Sequence, residues 1–332
     1  MKMLVLGGTA FLSRQVAEQA LAAGHEVTCA CRGSSGRVPD GAAHVVLDRA
    51  ADTDPRSGPW PGLARAGWDA VVDVARTPSW VATATAALGG RPHWVFVSTI
   101  SVYAEPLTPG GGPGNSPVLP PAEGDPPTDD PTAYGPGKVA CEDLVRATAG
   151  DGAWIVRPGL IVGPGDPSGR FTYWPVRLAR GGPVLAPRPE RAPVQVIDVR
   201  DLAAWIVEGA AARVRGTFDA TAPAMTMGAA LASVAAGVDS EPDLRWTDPA
   251  VLTGHDVRPW AGPRSLPLWL PGPELAGLMD RDVSASREAG LTCRPLSDTA
   301  RDTLAWTRQT PDAKVGGLSP EEERQVLDSL GD

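Results

Sequence analysis

The chain has 332 residues, of which 42% are apolar and 21% are charged, and its formal net charge is −9. This composition is typical of a globular protein and excludes a disordered or fibrous one, and the length allows one large or two ordinary domains. The acidic balance and the lack of a run of Lys and Arg argue against broad binding of nucleic-acid phosphates.

In the N-terminal stretch MKMLVLGGTAF, the run of apolar residues is too short for a signal peptide or a membrane span. We interpret it as the first buried strand of a cytoplasmic protein. The four cysteines are expected to be buried, reduced thiols. The four histidines are scattered without the spacing of metal ligands, so no metal site is predicted.

The first hundred residues alternate between strand-like and helix-like patterns. After the first strand, apolar residues recur with the period of a helix, and this pattern ends near Gly24. This alternation predicts right-handed crossovers and a parallel sheet with both faces covered. The predicted strands, all short apolar runs rich in Val, are residues 2–7, 26–31, 43–48, 69–75 and 93–99.

The composition shifts to Pro and Gly over residues 104–131, without any periodicity. Such an insertion is either a flexible flap near a functional site or a neutral excursion on the surface. A helix is predicted from about 133 to 149 and a strand at 153–158. The C-terminal third indicates a smaller α+β lobe, closed by a helix that Ser319, Pro320 and Glu322 begin.

The stretch LVLGGTAFLS follows a strand and opens a helix, which is the context of a dinucleotide-binding turn. Gly7 permits the tight turn and Gly8 a close approach of the ligand, so a pyrophosphate can bind the backbone of Phe11 and Leu12. Of the glycine spacing only Gly7 remains, because Ala10 and Ser13 stand at the other two positions. An ordinary strand–turn–helix is the alternative interpretation.

The end of the second strand bears on the choice of cofactor. An acid there would bind the ribose hydroxyls of NAD, whereas the sequence has Cys31 followed by Arg32, which suits a 2′-phosphate. We therefore predict NADP, with NAD left open and a solvated loop charge as the alternative role of Arg32. Asp48 is expected either to bind the adenine amino group or to cap a loop.

In the stretch AYGPGKVACEDLV, Tyr134 and Lys138 are one helical turn apart. Pro136 does not prevent this, because proline is tolerated in the first turn when Thr132 or Ala133 is the N-cap. A phenol loses its proton near ~10, so acid and base work at neutral pH needs a downward shift of roughly 3 units, about 4 kcal/mol. Lys138 and an oxidised nicotinamide could supply it together.

A third polar group is expected at the end of a buried strand, in VFVSTISVY. Strand ends are where open α/β sheets bind their ligands. We predict that Thr99 polarises the substrate oxygen, with Ser98 and Ser101 as competitors.

Taken together, GGTAFLS, DAVVDVA, VSTISVY, YGPGK and RPGLIVGPGD resemble the extended short-chain dehydrogenase/reductase superfamily, specifically its NAD-dependent epimerase/dehydratase family. The resemblance covers residues 1–220 and the remainder more loosely. It implies a Rossmann-type doubly wound parallel sheet over 1–160 and a smaller α+β substrate lobe over 161–332, from which residues 193–220 return to the first domain.

By the same resemblance, Thr99, Tyr134 and Lys138 match the catalytic triad. Val74 and Ala75 match the segment that passes under the cofactor, and Pro158 and Leu160 the loop beside the nicotinamide. The full set of expected cofactor-binding residues is Gly7, Thr9, Ala10, Phe11, Leu12, Arg32, Asp48, Val74, Ala75, Ser98, Tyr134, Lys138, Pro158 and Leu160.

Two departures from the family pattern narrow the range of expected reactions and substrates. Ile100 and Ser101 stand where sugar 4,6-dehydratases carry an Asp–Glu pair, which argues against that elimination. Leu160 stands where many nucleotide-sugar enzymes have an Asn, which weakens the case that the substrate is a nucleotide sugar.

A substrate-binding wall is predicted in GRFTYWPVRLARGG, where Phe171, Tyr173 and Trp174 stand with three arginines, one of which would bind an anionic group. The candidate substrate residues are Ser101, Arg170, Phe171, Tyr173 and Trp174. The alternative is that these aromatic residues belong to the core between the lobes. Asp198, which resembles a family residue bordering this lobe, is as readily a helix N-cap.

We therefore predict an oxidoreductase or epimerase that moves hydride at a carbonyl or alcohol carbon of a small polar, sugar-like substrate. No nucleic-acid or membrane partner is expected, and a homodimer is left open. The second hypothesis is a catalytically silent NADP-binding regulator or an RNA-associated protein.

Overall fold

The computed structural model describes residues 1–105 and 108–330. In chain order its first part comprises β1 (Lys2–Leu6), α1 (Phe11–Ala22), β2 (Glu26–Cys31), β3 (Ala43–Val46), α2 (Trp60–Arg65), β4 (Ala70–Asp73), α3 (Pro78–Leu88), β5 (His93–Val97), α4 (Tyr134–Ala149) and β6 (Trp154–Pro158). A short 3-10 helix, Ile100–Val102, follows β5.

The second part begins with short strands and ends with helices. It comprises β7 (Leu160–Val162), α5 (Tyr173–Ala179), β8 (Pro183–Pro187), β9 (Pro193–Val194), β10 (Val196–Asp198), α6 (Val199–Ala212), β11 (Gly216–Ala220), β12 (Met225–Thr226), α7 (Met227–Gly237), β13 (Asp243–Thr247), α8 (Pro249–Gly254), β14 (Arg258–Pro259), β15 (Ser265–Leu266), α9 (Ser284–Glu288), α10 (Leu296–Gln309) and α11 (Pro320–Ser329).

The central sheet has seven strands in the order β3-β2-β1-β4-β5-β6-β11, and all of its pairs are parallel. Leu6 at the end of β1 is in register with Ala30 of β2 and with Asp73 of β4. The strand order reverses between β1 and β4, so the carboxyl ends of these strands border a crevice of the kind that binds ligands in such sheets. The predicted Rossmann-type fold is confirmed.

Both faces of this sheet are covered, as parallel strands require. Helices α1 and α6 pack on one face, around Val5, Val72 and Trp154. Helices α2, α3 and α4 cover the other face, around Leu4, Val71 and Phe96. Strand β11, within residues 193–220, is the edge strand of this sheet and pairs with β6.

The second lobe has its own core, built from α5, α7, α10 and α11 and from the parallel pair β8 and β13. Helix α11 begins as predicted, because the Ser319 hydroxyl accepts from the Glu322 amide and the Glu322 carboxylate accepts from the Ser319 amide. The boundary residue 332 of the predicted second domain lies outside the described residues.

The Pro- and Gly-rich insertion at 104–131 forms no long element, and its residues 106 and 107 lie outside the described residues. Its described part is tied to neighbouring structure. Leu119 donates to the Val102 carbonyl at 2.8 Å, Ala122 to the Pro136 carbonyl at 3.0 Å, and the Ser79 amide to the Asp125 carboxylate at 2.7 Å. The insertion therefore lies over the start of α4.

All four cysteines have free thiols; Cys29 and Cys141 are buried, whereas Cys31 and Cys293 are half-buried. Within the described ranges, no helix has both the length and the apolar character needed to cross a membrane.

Candidate active site

The turn between β1 and α1 brings the backbone close to β2. Gly7 and Gly8 have φ values of 137° and 116°, which favour glycine. A Cβ on Gly8 would lie 2.7 Å from the Cβ of Cys29, so a side chain there would displace the turn. Ser13, which replaces a glycine of the usual spacing, accepts the Gly8 N–H at 3.0 Å and donates to the Ala10 carbonyl at 2.9 Å. The serine therefore braces the turn.

The first turn of α1 is free to bind an anion. Ala10, its N-cap, provides no side-chain hydrogen bond, and no acidic residue occupies the first turn. The N–H groups of such a turn and the helix dipole favour a phosphate. The residues present thus fit the pyrophosphate of a dinucleotide.

A cavity of about 260 Å³ extends from this turn along the carboxyl ends of β1 to β4. It brings together six of the predicted cofactor residues, namely Gly7, Thr9, Arg32, Asp48, Val74 and Ala75. Arg32 is exposed at its rim, beside Cys31. The Asp48 carboxylate accepts the Ala50 amide at 3.1 Å, which is the loop-capping alternative.

Under this cavity lies a buried ion pair that the sequence analysis missed. Arg49 contacts Asp73 through two hydrogen bonds, of 2.8 and 2.9 Å. The Asp73 carboxylate also accepts the Ala75 amide at 2.9 Å. The pair therefore fixes the backbone at the end of β4, which borders the cavity.

Helix α4 begins at Tyr134 with Ala133 as its N-cap, so the proline in YGPGK lies in the first turn as predicted. Tyr134 is 37% exposed. Partial burial of its phenol group raises the pKa of Tyr134, whereas the neighbouring Thr99 hydroxyl and the charges of Arg76 and Arg170 lower it. The structure thus brings together the phenol, the predicted threonine and two arginines.

Lys138 lies on the same helix but points inward. It is 2% exposed, and its Nζ donates to the Ala75 carbonyl at 2.7 Å and to the Val97 carbonyl. Its ammonium also lies 4.5 Å from the centre of the Phe96 ring. Desolvation lowers the pKa of Lys138 to about 8, although the negative charge of Asp73 is among the groups that oppose this.

That Lys138, together with an oxidised nicotinamide, lowers the pKa of Tyr134 stays a prediction. Among the described residues, the charges of Arg76 and Arg170 lower the pKa of the phenol. Arg76 directly follows the predicted pair Val74–Ala75, and this position was the only signal in the sequence that could have identified it.

The competing hydroxyls differ in accessibility. Ser98 is buried, whereas Ser101 is exposed and its hydroxyl accepts from the Thr99 hydroxyl at 3.2 Å. Pro158 and Leu160, predicted beside the nicotinamide, are both buried at the end of β6 and the start of β7.

The residues of the predicted substrate wall lie in two different environments. Phe171, Tyr173 and Trp174 belong to the core of the second lobe and are at most 2% exposed, so they do not form an accessible wall. This is the core alternative, and it arises because a helix rich in aromatic residues buries its widest apolar face. Arg170 remains at the site, close enough to act on the pKa of Tyr134. Asp198 is the N-cap of α6 and accepts from the Arg200 amide.

Comparisons with known proteins support the architecture. No protein-family model matches the chain, and a search of curated proteins finds no match. The fold does match solved structures. A putative epimerase from Burkholderia cenocepacia has 20% sequence identity and a TM-score of 0.67, over 93% of this chain and 98% of that one.

Two further structures are similar over the same extent. UDP-N-acetylglucosamine 4-epimerase from Bacillus cereus has 16% identity and a TM-score of 0.66, over 93% of this chain and 99% of that one. The Bordetella bronchiseptica enzyme WbmH, in complex with NAD+, has 18% identity and a TM-score of 0.61, also over 93% and 99%. At these identities the likeness shows a shared fold, and function has to be argued from the site.

Proposed function

We propose that this chain is an NAD(P)-dependent oxidoreductase or epimerase of the extended short-chain dehydrogenase type. It would act at a carbonyl or alcohol carbon of a small, sugar-like substrate. The observation that carries this proposal is that Tyr134, in the first turn of α4, lies beside the Thr99 hydroxyl at the carboxyl edge of the sheet, together with a helix start that can bind a phosphate. Similar folds are those of a UDP-N-acetylglucosamine 4-epimerase, a putative epimerase and an enzyme in complex with NAD+, which supports it.

The residues of the site have separate tasks. The turn of Gly7 and Gly8 and the first turn of α1 bind the pyrophosphate. The dinucleotide, when bound, supplies or accepts hydride. The Tyr134 hydroxyl gives its proton to the reacting oxygen, or in the opposite direction the Tyr134 phenolate takes the proton from it, while Thr99 would hold that oxygen by a hydrogen bond.

Lys138 has a positioning task as well as an electrostatic one. An ammonium has three donors, and two of them bind the carbonyls of Ala75 and Val97. The third would bind a ribose hydroxyl of the cofactor. Since Ile100 and Ser101 stand where a dehydratase needs two acids, we propose reduction or epimerisation rather than elimination of water.

The test is the removal of one oxygen atom. Tyr134→Phe should lower turnover by roughly 100-fold or more, with cofactor binding retained, because it deletes the proton donor. Tyr173→Phe is the matched control, since that hydroxyl is buried in the core of the second lobe without a hydrogen-bond partner in the described part of the chain. Turnover is measured by nicotinamide absorbance with a panel of carbonyl compounds and sugars.

An unchanged turnover in Tyr134→Phe would refute the catalytic proposal. It would favour the second function, a cofactor-binding regulator without chemistry or an RNA-associated protein. The intact pair of Tyr134 and Thr99 argues against the former, and the net charge of −9 against the latter.

We also propose NADP rather than NAD as the preferred cofactor. Arg32, exposed at the cavity rim, would pair with a 2′-phosphate, and no acid stands at Cys31 to bind the ribose hydroxyls. Arg32→Ala should weaken NADPH by roughly tenfold and leave NADH unchanged. Equal affinities of wild type for the two cofactors would overturn this preference.

A further inference from the structure

Arg170 is half-buried and, among the described residues, lacks the carboxylate partner that each of the buried arginines has. In the part of the chain that the structure describes, its buried Nε has no hydrogen-bond partner and no carboxylate lies within 4.0 Å of it. Arg157 and Arg281, by contrast, are paired with Glu142 and Asp219. Since a buried donor without a partner costs free energy, this group calls for a partner from outside the chain.

The loop that carries Arg170 is held in place at both ends. A Cβ on Gly165 would lie 3.7 Å from the ring of Phe11, so the loop passes beside the phosphate-binding turn. The Gly169 carbonyl accepts the Gly316 amide at 2.9 Å. Arg170 therefore projects from a fixed backbone rather than from a free loop.

The guanidinium is also oriented by an aromatic ring. Its Cζ lies 4.9 Å from the centre of the Trp260 ring, a cation–π arrangement that leaves the N–H edge free. Trp260 has φ of 69°, a left-handed conformation that is strained for an aromatic residue. Strained residues concentrate at ligand-binding sites, and here the strain presents the ring to the arginine.

The position of Arg170 relative to the chemistry is set by Tyr134. Arg76 lines the cofactor cavity, and a Cβ on Gly137 of α4 would lie 3.6 Å from the Arg76 carbonyl. The positive charges of Arg76 and Arg170 both lower the pKa of that phenol. The carboxylate of Asp166 opposes the charge of Arg170, but it accepts hydrogen bonds from the amide and hydroxyl of Ser168 at 2.7 and 2.9 Å. The site thus has a surplus of positive charge in a chain that is acidic overall.

We propose that Arg170, assisted by Arg76, binds an oxyanion of the substrate, a carboxylate or a phosphate, next to the carbon that Tyr134 serves. This inference rests on the proposed function and names its substrate class, an anionic hydroxy or carbonyl compound. The planar guanidinium supplies paired donors for either oxyanion.

The experiment compares three sugars that differ in charge. D-Glucose, D-glucuronate and D-glucose 6-phosphate are titrated by calorimetry into cofactor-saturated protein. Wild type should bind one of the anions roughly tenfold or more tightly than neutral glucose. Arg170→Gln should reduce this advantage to about twofold or less, and Arg308→Gln, an exposed arginine on α10, should keep it.

The anion that binds more tightly than D-glucose shows whether the site prefers a carboxylate or a phosphate. An advantage that survives in Arg170→Gln, or a wild type that binds neither anion better than glucose, would overturn the inference. These measurements need no turnover, so they fail independently of the proposed function: intact NADPH binding without an anion preference would refute the anion site alone. A circular dichroism melt of Arg170→Gln confirms that the variant is folded.

Discussion

At the scale of single residues, the site depends on a short chain of contacts behind the cofactor cavity. Arg49 pairs with Asp73, Asp73 accepts the Ala75 amide, and the Ala75 carbonyl accepts Lys138. Charge at one end of this chain therefore acts on the ammonium at the other. Desolvation is the largest effect and lowers the pKa of Lys138; Asp73 opposes it by raising the pKa, and Arg49 adds to it.

This arrangement predicts opposite effects for two substitutions. Asp73→Asn removes a negative charge, so the pKa of Lys138 should fall below its value of about 8 and the alkaline limb of the pH–rate profile should move down by ~1 unit. Arg49→Met should move it up. Turnover against pH is the measurement, and Asp69→Asn, an exposed acid next to the other end of β4, is the control.

Opposite shifts separate electrostatics from general damage. Asp73→Asn also leaves Arg49 buried without its partner, which should cost about 3 kcal/mol of the free energy of unfolding. Shifts of both variants in the same direction would show that Lys138 responds to a displaced backbone and not to these charges.

At the scale of elements, the start of α4 has to fit closely between the insertion and the segment that follows β5. A Cβ on Gly135 would lie 2.8 Å from the Leu119 side chain and would also meet the Ser101 carbonyl. A Cβ on Gly137 would lie 2.7 Å from the Pro126 ring. These glycines allow Tyr134 and the insertion to share one small volume.

Gly135→Ala should therefore destabilise the protein and lower its turnover, although alanine normally stabilises a helix by about 1 kcal/mol relative to glycine. Gly62→Ala is the matched control, because Gly62 lies in α2 and a Cβ there would meet nothing within 4 Å. In thermal unfolding, the melting temperature should rise for Gly62→Ala and fall for Gly135→Ala. A rise in both would mean that the packing over α4 yields without cost.

Local patterns predicted these elements well, because each was determined by neighbouring residues. The turn at Gly7, the helix start at Tyr134 and the cap at Ser319 all appear where the sequence placed them. The segment 169–182 was harder, since its aromatic residues suit a substrate wall and a core equally. Packing of the second lobe decides in favour of the core.

At the scale of the whole molecule, what the sequence could not predict are contacts between distant residues. Arg49 and Asp73 are 24 positions apart, and Arg170 meets Trp260 across the second lobe. No periodicity or motif specifies such pairs, because they depend on how strands and lobes assemble. The proposed anion site and the tuning of Lys138 both belong to this class.

The stability of the whole fold should also depend on pH through His93, the first residue of β5. Its side chain is buried, and its Nε2 has no hydrogen-bond partner among the described residues. Burial, followed by the charges of Arg213 and Arg215, lowers the pKa of His93 below its ordinary value of 6.5. The folded protein therefore disfavours the protonated form.

The sign of the effect follows from linkage. Above about pH 6.5 the histidine is neutral in both states, and its contribution to stability is fully present. As the pH falls below that value, the unfolded chain binds the proton more readily, so the free energy of unfolding decreases by about 1.4 kcal/mol for each unit of pKa difference.

Urea unfolding of His93→Gln at several pH values should give a flatter pH dependence of the free energy of unfolding than wild type, whereas His44→Gln, exposed on β3, should keep the wild-type slope. Parallel curves for wild type and His93→Gln would mean that acid acts on the fold through other groups, such as the buried carboxylates of Glu142 and Asp198, whose pKa values are lowered in the folded state.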